Sequence, residues 1–459
     1  MVYSSLLFIY GFFPLSLLLF YVTPKKMREL TLLLLSMVFC GMISLYFLIF
    51  MLIYTAVNFS FSHIISKVRK NEKLVAVPFA GGITIDLITI FVFRTQYFTW
   101  LQGVIKVPEG FYPVGISFFT LAAIGTLIDV YKGRVKADSN FIRFALYLMF
   151  FPRLIMGPLL RYGVFTKALE KRSESLDEIG KGMSIFAKGL AKKVIVADSL
   201  FALYNASHSV DVSDISAMTA WLGVIAYLLC LYFTLSGFAD MGTGIAYCFG
   251  FRFPQSFNYP ILSTRIKYFA SRWQSQVIQW LRRYVTKPFY NVCTKKWMKE
   301  AVFVCGWTLF GFWYTVDFRG IVWGFFIGLA VVIEGRLLKN KPLNFTGTFY
   351  TFLVVIVCTV FLSGEGIEYS VKYLLAMIGV NGKFADSQSF YLMKSYIVLL
   401  LMSMYAATDL FRNMMMRTKR KKVKNFVTMV SPVCVIIALA VCTALMSYNG
   451  SSEMLLLKL

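Results

Sequence analysis

Apolar residues run along this chain in blocks of about twenty, the length that crosses a bilayer as a helix, and short basic clusters separate the blocks. They predict spanning helices near 5–22, 30–46, 47–65, 74–93, 111–131, 183–204, 218–235, 301–316, 321–338, 349–363, 391–411 and 427–447. The fold class read from this pattern is all-α: a polytopic integral membrane protein of about 11–12 transmembrane helices. It occupies residues 1–459 as a single multi-span membrane domain, with a core over 111–338. The block from Leu6 to Val22 reads as a first transmembrane helix rather than a cleavable signal, because Lys25, Lys26 and Arg28 follow it and no basic stretch precedes it.

Two stretches break the pattern. Residues 144–160 are apolar but carry Pro152, Arg153, Gly157 and Pro158, which leave backbone carbonyls and a charge unsatisfied in hydrocarbon, so a re-entrant segment facing the protein interior is expected. Residues 264–287 place Phe269, Trp273, Val277, Trp280 and Tyr284 on one helical face and Arg265, Arg272, Gln276, Gln279 and Arg283 on the other. That periodicity predicts an amphipathic helix at the membrane interface.

Composition agrees with the membrane reading: 58% of residues are hydrophobic and 15% charged, with a mean hydropathy of +0.68. The net charge of +25 would suit nucleic acid if it lay on one soluble face, but it is divided among blocks between apolar spans, so nucleic acid is excluded and anionic lipid headgroups or a phosphorylated cytosolic ligand fit instead. Those blocks run 25–28, 67–73, 132–143, 161–193, 265–299, 336–341 and 412–424, and all fall on one side when the spans are counted. The loop 205–217, with Asp211 and Asp214 and no Lys or Arg, falls on the other. The positive-inside rule then makes the blocks cytoplasmic and the N-terminus external. Eight cysteines without a CxxC pair and two histidines predict neither a disulfide framework nor a metal site, and no cofactor is expected to be bound. The absence of an internal repeat argues against a transporter built of two related halves.

Seven ordered stretches carry a resemblance: Pro113-Val-Gly-Ile-Ser-Phe-Phe-Thr120 running on to Asp129-Val-Tyr-Lys-Gly133, Phe151-Pro-Arg-Leu-Ile-Met-Gly-Pro158 with Arg161-Tyr162, Gly189-Leu-Ala-Lys-Lys-Val-Ile-Val-Ala-Asp198, Ser236-Gly-Phe-Ala-Asp-Met241, Gly250-Phe-Arg-Phe-Pro-Gln-Ser-Phe-Asn-Tyr-Pro260, Arg272-Trp273, and Trp280-Leu-Arg-Arg-Tyr-Val285. The chain resembles the membrane-bound O-acyltransferases, in the bacterial branch of alginate O-acetyltransferases and the D-alanyl transfer protein of teichoic acids. The resemblance implies a funnel-shaped helical body in the bacterial cytoplasmic membrane. A cytosolic acyl-CoA or acyl-carrier-protein thioester donates the acyl group, and a cell-surface polysaccharide or wall polymer accepts it. The resemblance further implies an extracytoplasmic acyltransferase partner that completes the transfer. It also implies a membrane-embedded histidine that takes the proton of the acceptor hydroxyl, a task that needs a group of near-neutral pKa.

The chain departs from that pattern at the histidines. The family's Gly-x-Trp-His corresponds to Gly311-Phe-Trp313-Tyr314, its Arg-Trp-His to Arg272-Trp273-Gln274, and a third histidine to Ile327. Tyr314 and Gln274 therefore stand at the catalytic positions. A phenol with a pKa near 10 is a poor base, and an amide orients a group without taking its proton. His63 and His208 lie elsewhere and read as structural. Arg153, Asp240, Asn258, Trp273, Trp313 and Asp317 are candidates to line the substrate channel. Asp240 is an intramembrane acid, and pairing with Arg252 or capping a helix accounts for it equally well; Asp317 reads foremost as a helix-end or ion-pair residue. Arg265, Lys267, Arg272, Arg282 and Arg283 suit donor phosphates and serve equally as lipid anchors. Two functions follow: transfer of an acyl group, or ligand binding and scaffolding by a catalytically degenerate descendant.

Overall fold

The computed structural model describes residues 2–94, 114–338, 345–364, 366–410, 413–414 and 421–449. Every element among them is helical. The start of the 111–131 span, Pro113 of its motif, and most of the 412–424 basic block lie outside the described residues. The chain forms two compact units, the first from Met1–Ala187 with Phe238–Gln255 and the second from Lys188–Gly237 with Ser256–Leu459.

The first unit holds α1 (Leu7–Val22), α2 (Arg28–Ile43), α3 (Leu45–Val68), α4 (Glu72–Arg94), α5 (Ile116–Tyr131), α6 (Phe141–Met149), α7 (Phe151–Leu154), α8 (Tyr162–Glu170) and most of α9 (Leu176–Ala191). Asn140 starts α6 by accepting from the backbone N–H groups of Ile142 and Arg143 at 2.9 and 3.3 Å. Pro152, in the first turn of α7, interrupts the helix after Met149, and all of residues 144–160 are buried. The expectation of a segment shielded by protein is met: Phe151 packs between Phe12 and Phe39, ring centroids 5.3 and 5.7 Å away, and Tyr147 donates to the Leu160 carbonyl at 2.9 Å. Gly115 precedes α5 with φ +74°, and a Cβ there would collide with the Leu154 carbonyl, so only glycine fits the position.

The second unit holds α10 (Asp198–Ser207), α12 (Ile266–Arg272), α13 (Ser275–Leu281), α14 (Lys287–Val292), α15 (Lys296–Thr315), α16 (Phe318–Leu337), α17 (Phe345–Ser363), α18 (Ile367–Met377), α19 (Ser387–Ala406) and α20 (Lys421–Asn449). The long helix α11 (Ala217–Cys248) gives residues 217–237 to this unit and 238–248 to the first. α15 and α16 form a tight antiparallel pair through Gly311, Gly320 and Gly324, each of which would drive a Cβ into a carbonyl of the facing helix.

Seven helices among the described residues are long and apolar enough to cross a membrane: α3, α4, α11, α16, α17, α19 and α20. Within the described residues all twelve expected spans fall on helices, with three differences of form from the expected pattern. The 183–204 span is not one regular helix: a π-helical stretch, Lys192–Ala197, joins α9 to α10, and Lys193 is buried inside it against Asp198. The 218–235 span continues to Cys248, because it is a buried core helix whose length packing sets rather than bilayer thickness. The amphipathic helix expected over 264–287 is broken after Arg272. The preceding loop supplies the reason: Asn258 N–H donates to the Arg272 carbonyl at 3.3 Å and Ser275 N–H to the Ser256 carbonyl at 2.8 Å, replacing helical bonds at the break.

Candidate functional site

At that break Gln274 adopts a left-handed conformation, φ +38°, which a residue with a side chain holds only when its surroundings demand it. The effect is to turn Trp273 and Gln274 inward, to 1% and 4% exposure. Trp273 packs against Phe269, Phe257 and, from α11, Tyr232, with ring centroids 5.3, 5.6 and 6.3 Å away. Its indole Nε1 and the Gln274 Oε1 are buried without a hydrogen-bond partner in the protein. Ser236 Oγ, one helical turn along α11 from Tyr232, is in the same condition. Buried polar atoms are nearly always satisfied, so these orphans make the break and the facing turn of α11 a candidate site.

A second group lies on the α15–α16 hairpin. Tyr314 is buried in an aromatic wall with Phe310, Trp313 and Trp323 at centroid distances of 5.9, 6.5 and 5.5 Å, and Trp307 stands behind Trp323 at 6.1 Å. Trp323 is 2% exposed, and its Nε1 also lacks a partner. Tyr227 of α11 lies within electrostatic reach of Tyr314. Tyr227 and Tyr232 are five residues apart, about 7.5 Å along the axis, so one stretch of α11 borders both Tyr314 and Trp273. Ile327, at the third position, is fully buried in α16.

The remaining residues divide by role. Asp317 is the N-cap of α16, accepting from Gly320 N–H at 3.2 Å, and pairs with Arg319 at 2.6 Å. Asp317→Ala is expected to remove about 1 kcal/mol of stability, whereas Asp317→Asn retains most of it by keeping the cap oxygen; thermal melts of the two variants in detergent distinguish capping from a dominant ion pair. Arg265 is half-buried and lies 3.9 Å from Glu334, a buried acid of α16 that also accepts from the Ile266 N–H at 2.7 Å. Arg265 thus anchors α12 and is less available to a phosphate than the others. Lys267 and Arg282 are exposed, while Arg272 and Arg283 lie over the rings of Tyr268 and Tyr284 at 5.9 and 5.5 Å. Asn258 is an exposed loop residue whose backbone holds the break.

Arg153 and Asp240 belong to the first unit. The Arg153 guanidinium is buried 4.3 Å above the Tyr147 ring; one nitrogen donates to the Tyr147 carbonyl, and Nη1 has no hydrogen-bond partner. Asp240 is half-buried on α11. Its proposed pairing with Arg252 is not observed: Arg252 Nη2 donates to Glu178 at 2.7 Å and holds that carboxyl below the usual carboxylate range.

Neither histidine replaces the missing ones. His63 Nδ1 bonds the Phe59 carbonyl of its own helix at 3.0 Å. His208 packs against Tyr204 and stacks on Tyr373, 4.1 and 5.2 Å away, and burial lowers its pKa. Sequence reading missed Ser236, Trp323 and Glu334. Ser236 sat inside a quoted motif, Trp323 lay four residues before Ile327, and Glu334 was visible as an acid near the end of an apolar span.

The sequence profile described as MBOAT, membrane-bound O-acyltransferase family, matches residues 116–362. A relative named probable alginate O-acetylase AlgI, from Pseudomonas aeruginosa, is 31% identical over 391 residues, covering 82% of this chain and 75% of its own. A peptidoglycan O-acetyltransferase of Helicobacter pylori is 29% identical over 59% of this chain and 57% of its own, and a teichoic acid D-alanyltransferase of Bacillus subtilis 24% identical over 54% and 65%.

Proposed function

Since this chain belongs to the membrane-bound O-acyltransferase family, we propose that it moves an acyl group from a cytosolic acyl-CoA or acyl-carrier-protein thioester toward a polysaccharide or wall polymer of a bacterial cell envelope. The observation that carries this reading is the orphaned indole N–H of Trp323 against the buried Tyr314, with a second orphaned indole N–H, Trp273, at the break after Arg272. Donors aimed into a buried site suit a carbonyl whose oxygen gains charge as it is attacked, and stabilising that charge commonly does more than any other effect to speed acyl transfer. The acceptor hydroxyl attacks the thioester carbon, the carbon–sulfur bond breaks, and the hydroxyl proton leaves with the departing thiolate or with a base on an extracytoplasmic partner protein. Lys267, Arg272, Arg282 and Arg283 form the basic rim for donor phosphates. The protein lies in the cytoplasmic membrane with its N-terminus outside and the basic blocks within.

One observation favours a second reading: no imidazole stands at Tyr314, Gln274 or Ile327, which suits a degenerate member that binds its ligand or scaffolds a partner without turnover. Purified full-length protein given radiolabelled acetyl thioester and candidate glycans tests the two. Label on a glycan, reduced about 100-fold in Tyr314→Phe as for loss of one oxyanion donor, is the expected result. Saturable thioester binding with neither labelled glycan nor hydrolysed donor decides for the second reading.

A further inference from the structure

Helices α3 and α4 of the first unit are both apolar enough to span a bilayer, yet between them they bury a polar group. Tyr54, Thr55, Asn58 and Asp86 are 4%, 0%, 1% and 0% exposed. Asp86 Oδ1 accepts from Tyr54 Oη at 2.6 Å and from Asn58 Nδ2 at 3.0 Å. Both donors go to one carboxylate oxygen, and Asn58 Nδ2 also reaches the Tyr54 carbonyl at 3.3 Å. Asp86 Oδ2, Asn58 Oδ1 and Thr55 Oγ1 remain buried without any hydrogen-bond partner. Thr55 and Asn58 are three residues apart on one face of α3, and Asn58 touches Asp86 directly, so the three unfilled oxygens belong to a single cluster.

Among the described residues no cation answers the Asp86 charge. Arg94 lies two turns further along α4, about 12 Å by helical rise, and donates to Ser117 Oγ at 3.0 Å. On α5, which packs against both helices, Asp129 pairs with Arg134 at 3.1 Å and Tyr131 stacks on Phe79 at 4.2 Å. His63 on α3 is committed to the Phe59 carbonyl. An uncompensated carboxylate at membrane depth is strongly disfavoured, and within spans such acids face ions or proton paths. A hard cation is satisfied by oxygens alone, and a carboxylate, an amide oxygen and a hydroxyl oxygen offer it three.

We propose that Asp86 Oδ2, Asn58 Oδ1 and Thr55 Oγ1 hold a monovalent alkali cation between α3 and α4, outside the residues matched by the family profile. The site supplies the counter-charge that lets an acid sit between two spanning helices. The test is thermal unfolding of the full-length protein in detergent, titrated with sodium, potassium or N-methylglucamine chloride at constant ionic strength and repeated at several fixed pH values. A melting midpoint that rises saturably with sodium or potassium and not with N-methylglucamine is expected, and the two alkali arms identify the ion. Asp86→Asn should abolish the dependence, and Thr55→Val should shift its half-saturation about tenfold or more upward by removing one oxygen ligand. The wild-type titration is decisive even if Asp86→Asn fails to accumulate. Identical midpoints in all three salts overturn the proposal, as does a midpoint that follows pH but ignores alkali ions, which would show a protonated carboxyl.

Discussion

Histidine in place of Tyr314 is expected to raise the turnover of an acyl thioester by the purified protein about 100-fold or more, the contribution of a well-placed general base. The wall around residue 314 is the reason. Phe310, Trp313 and Trp323 hold the phenol ring within centroid distances of 5.5 to 6.5 Å. An imidazole is smaller than a phenol, so it enters that space without displacing backbone, at the expense of a small void. It would bring a group of near-neutral pKa to a site whose surviving contributions are donors and aromatic surface. The measurement is release of free thiol from an acetyl thioester, with and without an acceptor glycan, across pH 5 to 9. A gain that appears as the imidazole loses its proton supports an otherwise intact site. No gain, with the variant folded and still binding donor, means the donors and acceptor path no longer converge on residue 314, and the acyl-transfer reading falls.

The largest expected effect on stability lies on the same hairpin. A Cβ on Gly311 would land on the Gly320 carbonyl, and one on Gly324 would land on the Trp307 carbonyl. In each case the obstacle is the backbone of the facing helix rather than a flexible side chain, so the two helices have to separate. Gly324→Leu is therefore expected to destabilise by about 3 kcal/mol or more, the upper end for overpacking. In a thermal melt this amounts to a drop of roughly 6 °C or more for a unit of this size. Gly335, at the exposed end of α16, has open space around it, and Gly335→Ala is the matched control, expected to leave the melt unchanged or slightly raised. Equal melts for Gly324→Leu and the control would show that α15 and α16 are not held together by this close approach. Because Tyr314 and Trp323 face each other across the same pair of helices, the Gly324 variant should also lose donor binding.

The break at Trp273–Gln274 shows why part of the site was not legible from pattern. Residues 264–287 have clean amphipathic periodicity, and local preference alone continues the helix through Arg272. What ends it are two backbone hydrogen bonds from residues 256 and 258, which are adjacent only in the folded chain. The same contacts convert Trp273 from an interfacial side chain into a buried one. Arg265 illustrates the point electrostatically: among five similar cations it alone lies beside Glu334, sixty-nine positions away in sequence, and nothing near Arg265 in the chain announces that neighbour.

The sequence by itself determined the membrane-embedded all-helical class, the helices on which its apolar blocks fall, the buried stretch around Pro152 and Arg153, and the identity of the residues at the three histidine positions. These follow from local quantities: the length of apolar runs, proline's missing N–H, and motif order. Only the tertiary structure decided which polar atoms were left without partners, where the interfacial helix turns inward, that Arg252 serves Glu178 rather than Asp240, and that Asp86 shares a buried cluster with Asn58 and Thr55. Those depend on which groups meet after packing, and satisfaction of a buried polar atom is a property of its neighbours in space, to which hydropathy along the chain is blind.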